Sequence, residues 1–511
     1  MSPKTIQTLN PRTGNFLAQE YVISTPEELN HKVTDAQLAF MVYRKTSGNE
    51  RAILLETIAD EIEAVKEEIL SIATLETGLP AGRIQGETGR TLGQLRLFAE
   101  VAQEEFWVEA SIDTALPDRQ PLPKSDIRKC LVPLGPIAVF GASNFPLAFS
   151  TAGGDTASAL ASGNPVIVKA HNSHLGTHQC ICDAIARALE RCNLPKGIFS
   201  SIIDEGYELG ADLVQHPGIK AVGFTGSFNG GTALLDLVSK RKEPIPFYGE
   251  MGSINPIVLL PSALEDPKMV STLMGSINMG VGQFCTNPGL ILAIEGEAAQ
   301  HFCLKMTDAI QQTLGEVMLN RAIYDKYEAS ITKISSEKAY TLLGQGTKAQ
   351  GALAVQPSLA LTSGKKFLTH PKMSQEIFGP YSLIVLCEHQ EELAEILMQI
   401  EGQLTLSFMG EETEFEEQVH LIVLAQEKVG RIIFNGVPTG VEVGHSMIHG
   451  GPFPATTAPN STSVGADAIK RFARPVCFQD APQSLLPMAL QDENPLKIFR
   501  KINGKWSLDK I

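Results

Sequence analysis

Ala221-Val222-Gly223-Phe224-Thr225-Gly226-Ser227-Phe228-Asn229-Gly230-Gly231 reads as a strand running through a glycine turn into a helix that begins near Gly231. Backbone N–H groups at such a helix start, with the helix dipole behind them, favour an anion such as a pyrophosphate. The stretch is not the G-x-G-x-x-G dinucleotide fingerprint, and an ordinary tight turn accounts for it equally well. Its neighbours decide the fold class. Short β-branched runs at Ile137 to Phe140, Pro165 to Lys169, Ser200 to Ile203, Ala221 to Phe224 and Ile245 to Tyr248 alternate with helical stretches such as Gly206 to Gln215. Strand–helix alternation predicts an α/β fold with a parallel sheet that holds ligands at its strand ends.

Outward from this region the texture changes. Pro26 to about Val108 is helical, with Ile53, Leu54, Ile58, Ile62, Val65 and Ile69 marking one amphipathic stretch. Asp113 to Lys129 is polar and proline-rich, the pattern of an extended excursion or arm. After Glu250 a second strand series follows at Ile254 to Leu260, Gly289 to Ile294, Tyr381 to Cys387, Thr405 to Met409 and Arg431 to Asn435. That predicts a second α/β domain, followed by a mixed tail from Arg474 to Ile511.

The 511 residues carry a formal charge of -15, with 43% hydrophobic and 19% charged residues. This balance suits a globular protein of two or three domains and argues against nucleic-acid or anionic-membrane partners. Leu131 to Gly154 is uncharged over twenty-four residues, but Pro133, Pro136, Gly141 and Pro146 break it into a buried strand, a turn and a helix start. Eight cysteines form neither a disulfide framework nor a paired zinc pattern, so no metal site is expected. The N-terminal residues lack the apolar core of a signal peptide, and a reducing, cytoplasmic setting is the expectation.

Chemistry-bearing residues stand at the turns. Met279-Gly280-Val281-Gly282-Gln283-Phe284-Cys285-Thr286-Asn287-Pro288-Gly289 places a cysteine beyond two turn-permitting glycines, and Tyr248-Gly249-Glu250-Met251-Gly252 lies upstream. A thiol and a carboxylate so placed suggest a nucleophile and a water-activating base, although a lone cysteine is more often a small buried hydrophobe. Asn144, after a buried strand in Gly141-Ala142-Ser143-Asn144-Phe145-Pro146, is either an oxyanion donor or a turn asparagine. Lys169, ending the strand of Val166-Ile167-Val168-Lys169-Ala170-His171, can donate to a ribose or phosphate, or simply be solvated. Gln375-Glu376-Ile377-Phe378-Gly379-Pro380 adds an acid and an aromatic able to hold a ribose diol and pack beside a ring.

Together these pieces resemble the aldehyde dehydrogenase superfamily over nearly the whole length. Six ordered motifs carry the resemblance: Leu134-Gly135-Pro136 with Ser143-Asn144-Phe145-Pro146, Lys169, Gly223-Phe224-Thr225-Gly226-Ser227, Glu250-Met251-Gly252, Gly282-Gln283-Phe284-Cys285-Thr286 and Glu376-Ile377-Phe378-Gly379-Pro380. Runs such as Pro244-Ile245-Pro246-Phe247-Tyr248-Gly249-Glu250 and Pro438-Thr439-Gly440-Val441-Glu442-Val443 are similar to the α-ketoglutaric semialdehyde (2,5-dioxovalerate) dehydrogenases and to the NADP-dependent fatty aldehyde dehydrogenase of luminous bacteria. The resemblance implies a Rossmann-type cofactor domain from 1–112 and 134–252, a catalytic domain from 253–473, and an oligomerisation arm and tail from 113–133 and 474–511. It implies a homodimer or homotetramer.

By the same resemblance, Cys285 is the nucleophile, Glu250 the base and Asn144 the oxyanion donor, with Lys169, His171, Asn172, Gly226, Ser227, Gly231, Glu376 and Phe378 binding NADP or NAD. Asn172 replaces a family glutamate that repels the 2′-phosphate, which permits NADP; Tyr207, beside Asp204 and Glu205, stands where a phosphate-binding arginine is expected. A dioxo acid requires a cation for its carboxylate, and Arg90 or Arg96 are candidates, or else surface and helix-pairing arginines. A fatty aldehyde would require an apolar tunnel instead. His449-Gly450-Gly451-Pro452-Phe453-Pro454 replaces a common family segment, so no helper role transfers to it. Against a cysteine hydrolase stands the lack of a histidine partner for Cys285; against an acyl-CoA-forming reductase stands Glu250; and the intact core argues against a non-catalytic homologue.

Overall fold

The computed structural model describes residues 3–511. Five parallel strands, Ile137–Phe140, Val166–Lys169, Phe199–Ile202, Ala221–Thr225 and Phe247–Glu250, form one sheet. Phe199–Ile202 and Val166–Lys169 lie to one side of Ile137–Phe140, and Ala221–Thr225 and Phe247–Glu250 to the other. The strand order therefore reverses beside Ile137–Phe140, and such a reversal opens a crevice at the carboxyl ends. These strands are buried on both faces, which is why they read as continuous apolar runs.

The second sheet has seven strands among the described residues, with Tyr381–Cys387, Leu290–Ile294, Ile257–Leu259, Gln403–Met409 and Val429–Phe434 in parallel. Sequence reading missed Ser358–Ser363, parallel to Tyr381–Cys387, and Thr341–Gln345, the antiparallel edge. Ser-Leu-Ala-Leu-Thr-Ser has few β-branched residues, and Gly344 interrupts the edge strand where its register shifts.

A third sheet joins distant segments. Ala473–Gln479 pairs antiparallel with Ile127–Pro133, which continues through Ser111–Asp113 to Arg500–Ile502 and Lys505–Ser507. The polar excursion and the tail therefore build one sheet within the chain. Helices Gly48–Ala64 and Ala81–Glu104 pack together over the first sheet, sharing its core through Leu54, Ile58, Leu95, Phe98, Ile137 and Val166. No helix among the described residues is long and apolar enough to cross a membrane.

Two turns position the chemistry-bearing loops. The glycine stretch after Ala221–Thr225 bends into helix Phe228–Ser239 three residues earlier than Gly231, because Ser227 is its N-cap and its hydroxyl accepts from the Gly230 N–H at 3.3 Å. After helix Met269–Asn278, Gly280, Val281 and Gly282 all take positive φ, at 56°, 62° and 61°. A valine in the left-handed region is strained, so the surrounding packing holds this turn. At Gly282 only glycine fits, since an added Cβ would stand 2.2 Å from the Gly379 carbonyl oxygen.

Buried Glu76 ties the N-terminal hairpin of Thr5–Leu9 and Phe16–Val22 to the helix that follows strand Val166–Lys169. It accepts from the Gly176 N–H (2.6 Å), the Thr177 N–H (2.9 Å) and the hydroxyls of Thr177 (2.8 Å) and Thr8 (2.9 Å), capping helix Leu175–Arg191. Glu76→Ala strips buried donors of their acceptor and is predicted to cost about 3 kcal/mol. The check is the urea unfolding midpoint, and an unchanged midpoint would remove this ion from any structural role.

Candidate active site

The strained turn delivers Cys285 to the junction between the two large sheets. Asn255 fixes the loop there: its buried amide donates to the carbonyls of Cys285 (2.8 Å), Asn287 (2.9 Å) and Ser253 (3.1 Å), while its oxygen accepts from Thr405 and Ser253. Gln283 adds an anchor by accepting from the Leu319 N–H at 3.0 Å. Neither residue stands out in the sequence, where each is an amide among many.

Glu250 ends a strand of the other sheet, so its position is set by the parallel pairing with Ala221–Thr225. Its side chain is 4% exposed, and neither carboxylate oxygen has a hydrogen-bond partner among the described residues. Close to both Glu250 and Cys285 stands His449. Its Nε2 lies 3.4 Å from Glu250 Oε1 and 3.6 Å from Cys285 Sγ. This corrects the expectation that the cysteine has no histidine neighbour. The missing signal was proximity in sequence: 164 residues separate the imidazole from the thiol. His449 is held by its own N–H donating to Thr462 Oγ1 at 2.8 Å, and its ring lies against Phe149.

Burial, reinforced by the Glu250 and Glu376 carboxylates, pushes the Cys285 thiol well above its ordinary range, with Arg90 opposing. Thiolate formation at Cys285 is therefore disfavoured, and His449 Nε2 is the nearby ring nitrogen that could accept the thiol proton. Asn144 donates its side-chain amide to the Gln283 carbonyl at 2.9 Å, which places the amide against the cysteine loop with a second N–H to offer.

A cavity of about 270 Å³ opens onto Cys285 and Thr286. Phe145, Phe149 and Phe284 form apolar walls, and Arg83 and Arg90 supply the charge. The Arg90 guanidinium lies over Phe149 at 5.4 Å and donates Nη1–H to the Val441 carbonyl; Arg83 lies over Phe145 at 4.5 Å and donates to Glu87 at 2.6 Å. Nε and Nη2 of both arginines are buried without a partner among the described residues. Arg96 is elsewhere, paired with Glu63 at 3.0 Å and near Glu56 and Asp60 on an exposed face. Of the two arginines expected to meet a carboxylate, only Arg90 reaches the cavity, and Arg83, earlier on the same helix, escaped sequence reading.

The expected cofactor residues gather at the carboxyl ends of the five-stranded sheet. Lys169 Nζ donates to Asn172 Oδ1 at 3.3 Å, and the Asn172 amide donates to the Glu205 carbonyl at 3.4 Å. Burial lowers the Lys169 ammonium from its ordinary value, with Asp204 opposing. Asp204 itself caps helix Glu208–Gln215 by accepting from the Leu209 and Gly206 N–H groups. Tyr207 is 91% exposed. His171 Nδ1 accepts from the Ser173 N–H at 3.2 Å and its ring stacks on His174, which fixes the loop and leaves Nε2–H as its donor. Gly226 donates its N–H to the Glu250 carbonyl at 3.1 Å, linking the turn to the base. Gly231 is a packing glycine, as a Cβ there would meet Met251 Sδ at 2.5 Å. From the other domain, Glu376 and Phe378 line a small recess with Ser253, Ile254 and Gly282. Burial raises the Glu376 carboxyl to about 7 against the Ser253 N–H it accepts and Lys326.

The chain matches the model of the aldehyde dehydrogenase family over residues 1–452. It is 46% identical to α-ketoglutaric semialdehyde dehydrogenase 2 of Azospirillum brasilense, across 99% of this chain and 97% of the relative. It is 43% identical to the α-ketoglutaric semialdehyde dehydrogenase of Acinetobacter baylyi, across 98% and 95%. Among solved structures, aldehyde dehydrogenase 21 of Physcomitrella patens, in complex with succinate, superposes with a TM-score of 0.80 at 18% identity, covering 94% of this chain and 95% of that one. The glyceraldehyde-3-phosphate dehydrogenase GapN of Methanocaldococcus jannaschii, complexed with NADP, gives 0.79 at 20% identity, covering 94% and 99%. With a thiol, a base and a nucleotide-type sheet assembled at one crevice, and these matches spanning nearly its full length, the protein belongs to the aldehyde dehydrogenase family and is an NAD(P)-using, aldehyde-oxidising oxidoreductase.

Proposed function

We propose that this enzyme oxidises 2,5-dioxovalerate, the semialdehyde of 2-oxoglutarate, to 2-oxoglutarate. The observation that carries the reading is the pair of guanidiniums, each with two unpartnered N–H-bearing nitrogens, in the cavity that opens on Cys285. Arg83 is paired with Glu87, whereas Arg90 has no ion pair among the described residues; a buried cation so placed is costly, and a carboxylate entering the cavity supplies Arg90 with both the charge and the acceptors. A plain alkyl chain would bury those groups against methylenes, which disfavours a fatty aldehyde. The two relatives at 46% and 43% identity bear the matching name.

In this reading, His449 accepts the Cys285 proton as sulfur adds to the aldehyde carbon, and Glu250 stabilises the imidazolium across 3.4 Å. The Asn144 amide and the Cys285 N–H receive the developing oxyanion. The residues at the sheet ends suit a nicotinamide dinucleotide: Lys169 and the incompletely bonded Glu376 for ribose hydroxyls, the N-terminus of helix Phe228–Ser239 for pyrophosphate, and Phe378 beside a ring. When bound, that cofactor accepts a hydride from the substrate carbon. Glu250, buried and without hydrogen-bond partners, then takes a proton from the water that cleaves the Cys285 thioester. Neutral Asn172, with Asp204 engaged in its helix cap, leaves room for a 2′-phosphate and favours NADP slightly over NAD. Eight unpaired cysteines support a reducing, cytoplasmic setting, and the arm sheet with its edge strand Ala473–Gln479 supports pairing between copies into a dimer or tetramer.

Three outcomes are expected. Arg90→Ala should lower kcat/KM for 2,5-dioxovalerate about 100-fold while changing that for pentanal by no more than about threefold; equal losses would sink the carboxylate assignment. Glu250→Gln should keep a first-turnover burst of reduced cofactor and lose steady-state rate, whereas Cys285→Ala should show neither; a normal steady state in either variant contradicts the mechanism. Ionisation of Glu376 rises as pH passes about 7, so KM for the cofactor should fall from about pH 6 to about pH 8 in the parent and stay flat in Glu376→Gln. The same slope in both would assign it to another group.

A further inference from the structure

Cys285, His449 and Glu250 offer sulfur, nitrogen and oxygen atoms that all lie within 4.8 Å of one another. We infer that this trio is a reversible Zn²⁺ site, in which the ion binds the nucleophile and holds the enzyme inactive.

The distances between these atoms match those of a zinc ligand set. Tetrahedral zinc, with bonds of about 2.3 Å to sulfur and about 2.0–2.1 Å to nitrogen and oxygen, sets ligand edges of about 3.6 Å for sulfur to nitrogen and about 3.4 Å for nitrogen to oxygen. The observed edges are 3.6 Å from Cys285 Sγ to His449 Nε2 and 3.4 Å from His449 Nε2 to Glu250 Oε1. The third edge, from thiol to carboxylate, is no longer than 4.8 Å. The lack of hydrogen-bond partners at Glu250, a side chain only 4% exposed, is a second, independent sign of an acceptor awaiting a ligand.

Charge and stoichiometry fit as well. Binding releases the thiol proton to solvent, and a thiolate plus a carboxylate neutralise the ion, so no net charge is buried. Cys285 lines the cavity, so a water can fill the fourth position, the three-ligand arrangement of an open zinc site. Here the sulfur lone pair is occupied, so aldehyde addition stops. Nothing in the linear sequence suggests this site, because its ligands are 35 and 164 residues apart and share no spacing pattern.

The test uses chelator-treated enzyme titrated with Zn²⁺ against a chromophoric chelator, and with Co²⁺ as a spectroscopic probe. One ion per chain is expected, with a thiolate-to-cobalt charge-transfer band and tetrahedral visible bands. Cys285→Ser and His449→Ala should each weaken binding by roughly tenfold or more, and Cys182→Ala, beside His178 at 3.3 Å, should leave the titration unchanged. In the unaltered enzyme, Zn²⁺ should slow alkylation of Cys285 by iodoacetamide, followed by peptide mass, and chelator should restore it. Parental Zn²⁺ affinity in Cys285→Ser, or undiminished alkylation with Zn²⁺ bound, would overturn the inference. Neither readout depends on which aldehyde is the substrate.

Discussion

The Asn255 amide bears on the rest of the active site because it ties the Cys285 loop to the seven-stranded sheet. It holds the carbonyls of Cys285 and Asn287 and accepts from Thr405 on strand Gln403–Met409. The chain must also pass through three consecutive positive-φ residues, one of them valine, to arrive there. Such a turn persists only if fixed contacts over-determine it. The consequence is a thiol presented at the end of one sheet to a carboxylate ending a strand of the other, with neither side chain on a free loop.

Burial then sets the chemistry. Cys285 is partly buried beside two carboxylates, which disfavours its thiolate and makes a nearby proton acceptor useful. Glu250 alone is an awkward base, since its charge beside the thiol opposes thiolate formation. In the proposed mechanism His449, close to both, resolves this conflict: the imidazole would take the proton, and the carboxylate would turn from a repelling neighbour into a stabilising one. The same three atoms are close to zinc-ligand edges, so readiness for proton transfer and susceptibility to a thiophilic cation share one geometry. On the substrate side, the two incompletely bonded guanidiniums convert an aromatic-walled cavity into one that favours an acid.

Much of this is legible in the residues. Strand–helix alternation places all five strands of the first sheet within two residues of their observed positions, because strands buried on both faces leave long apolar runs. Cys285, Glu250, Asn144, Lys169 and Glu376 are visible because glycine turns flank them or strand ends carry them. Ser358–Ser363 is not, since a buried strand of small residues has no distinctive period. His449 and Arg83 are hidden for another reason: their roles arise from contacts between segments far apart in the chain. Arg90 and Arg96 lie six positions apart on one helix, and only packing decides that the first faces the cavity and the second faces Glu63.

Covalent catalysis by Cys285 is put to its sharpest trial by mixing Glu250→Gln enzyme and cofactor with 2,5-dioxovalerate, quenching within a turnover and mapping the adduct by peptide mass. An acyl group, two hydrogens lighter than the added aldehyde, is expected on the peptide containing Cys285 and on no other cysteine. Reduced cofactor formed without such an adduct, or an adduct on another residue, would contradict this assignment.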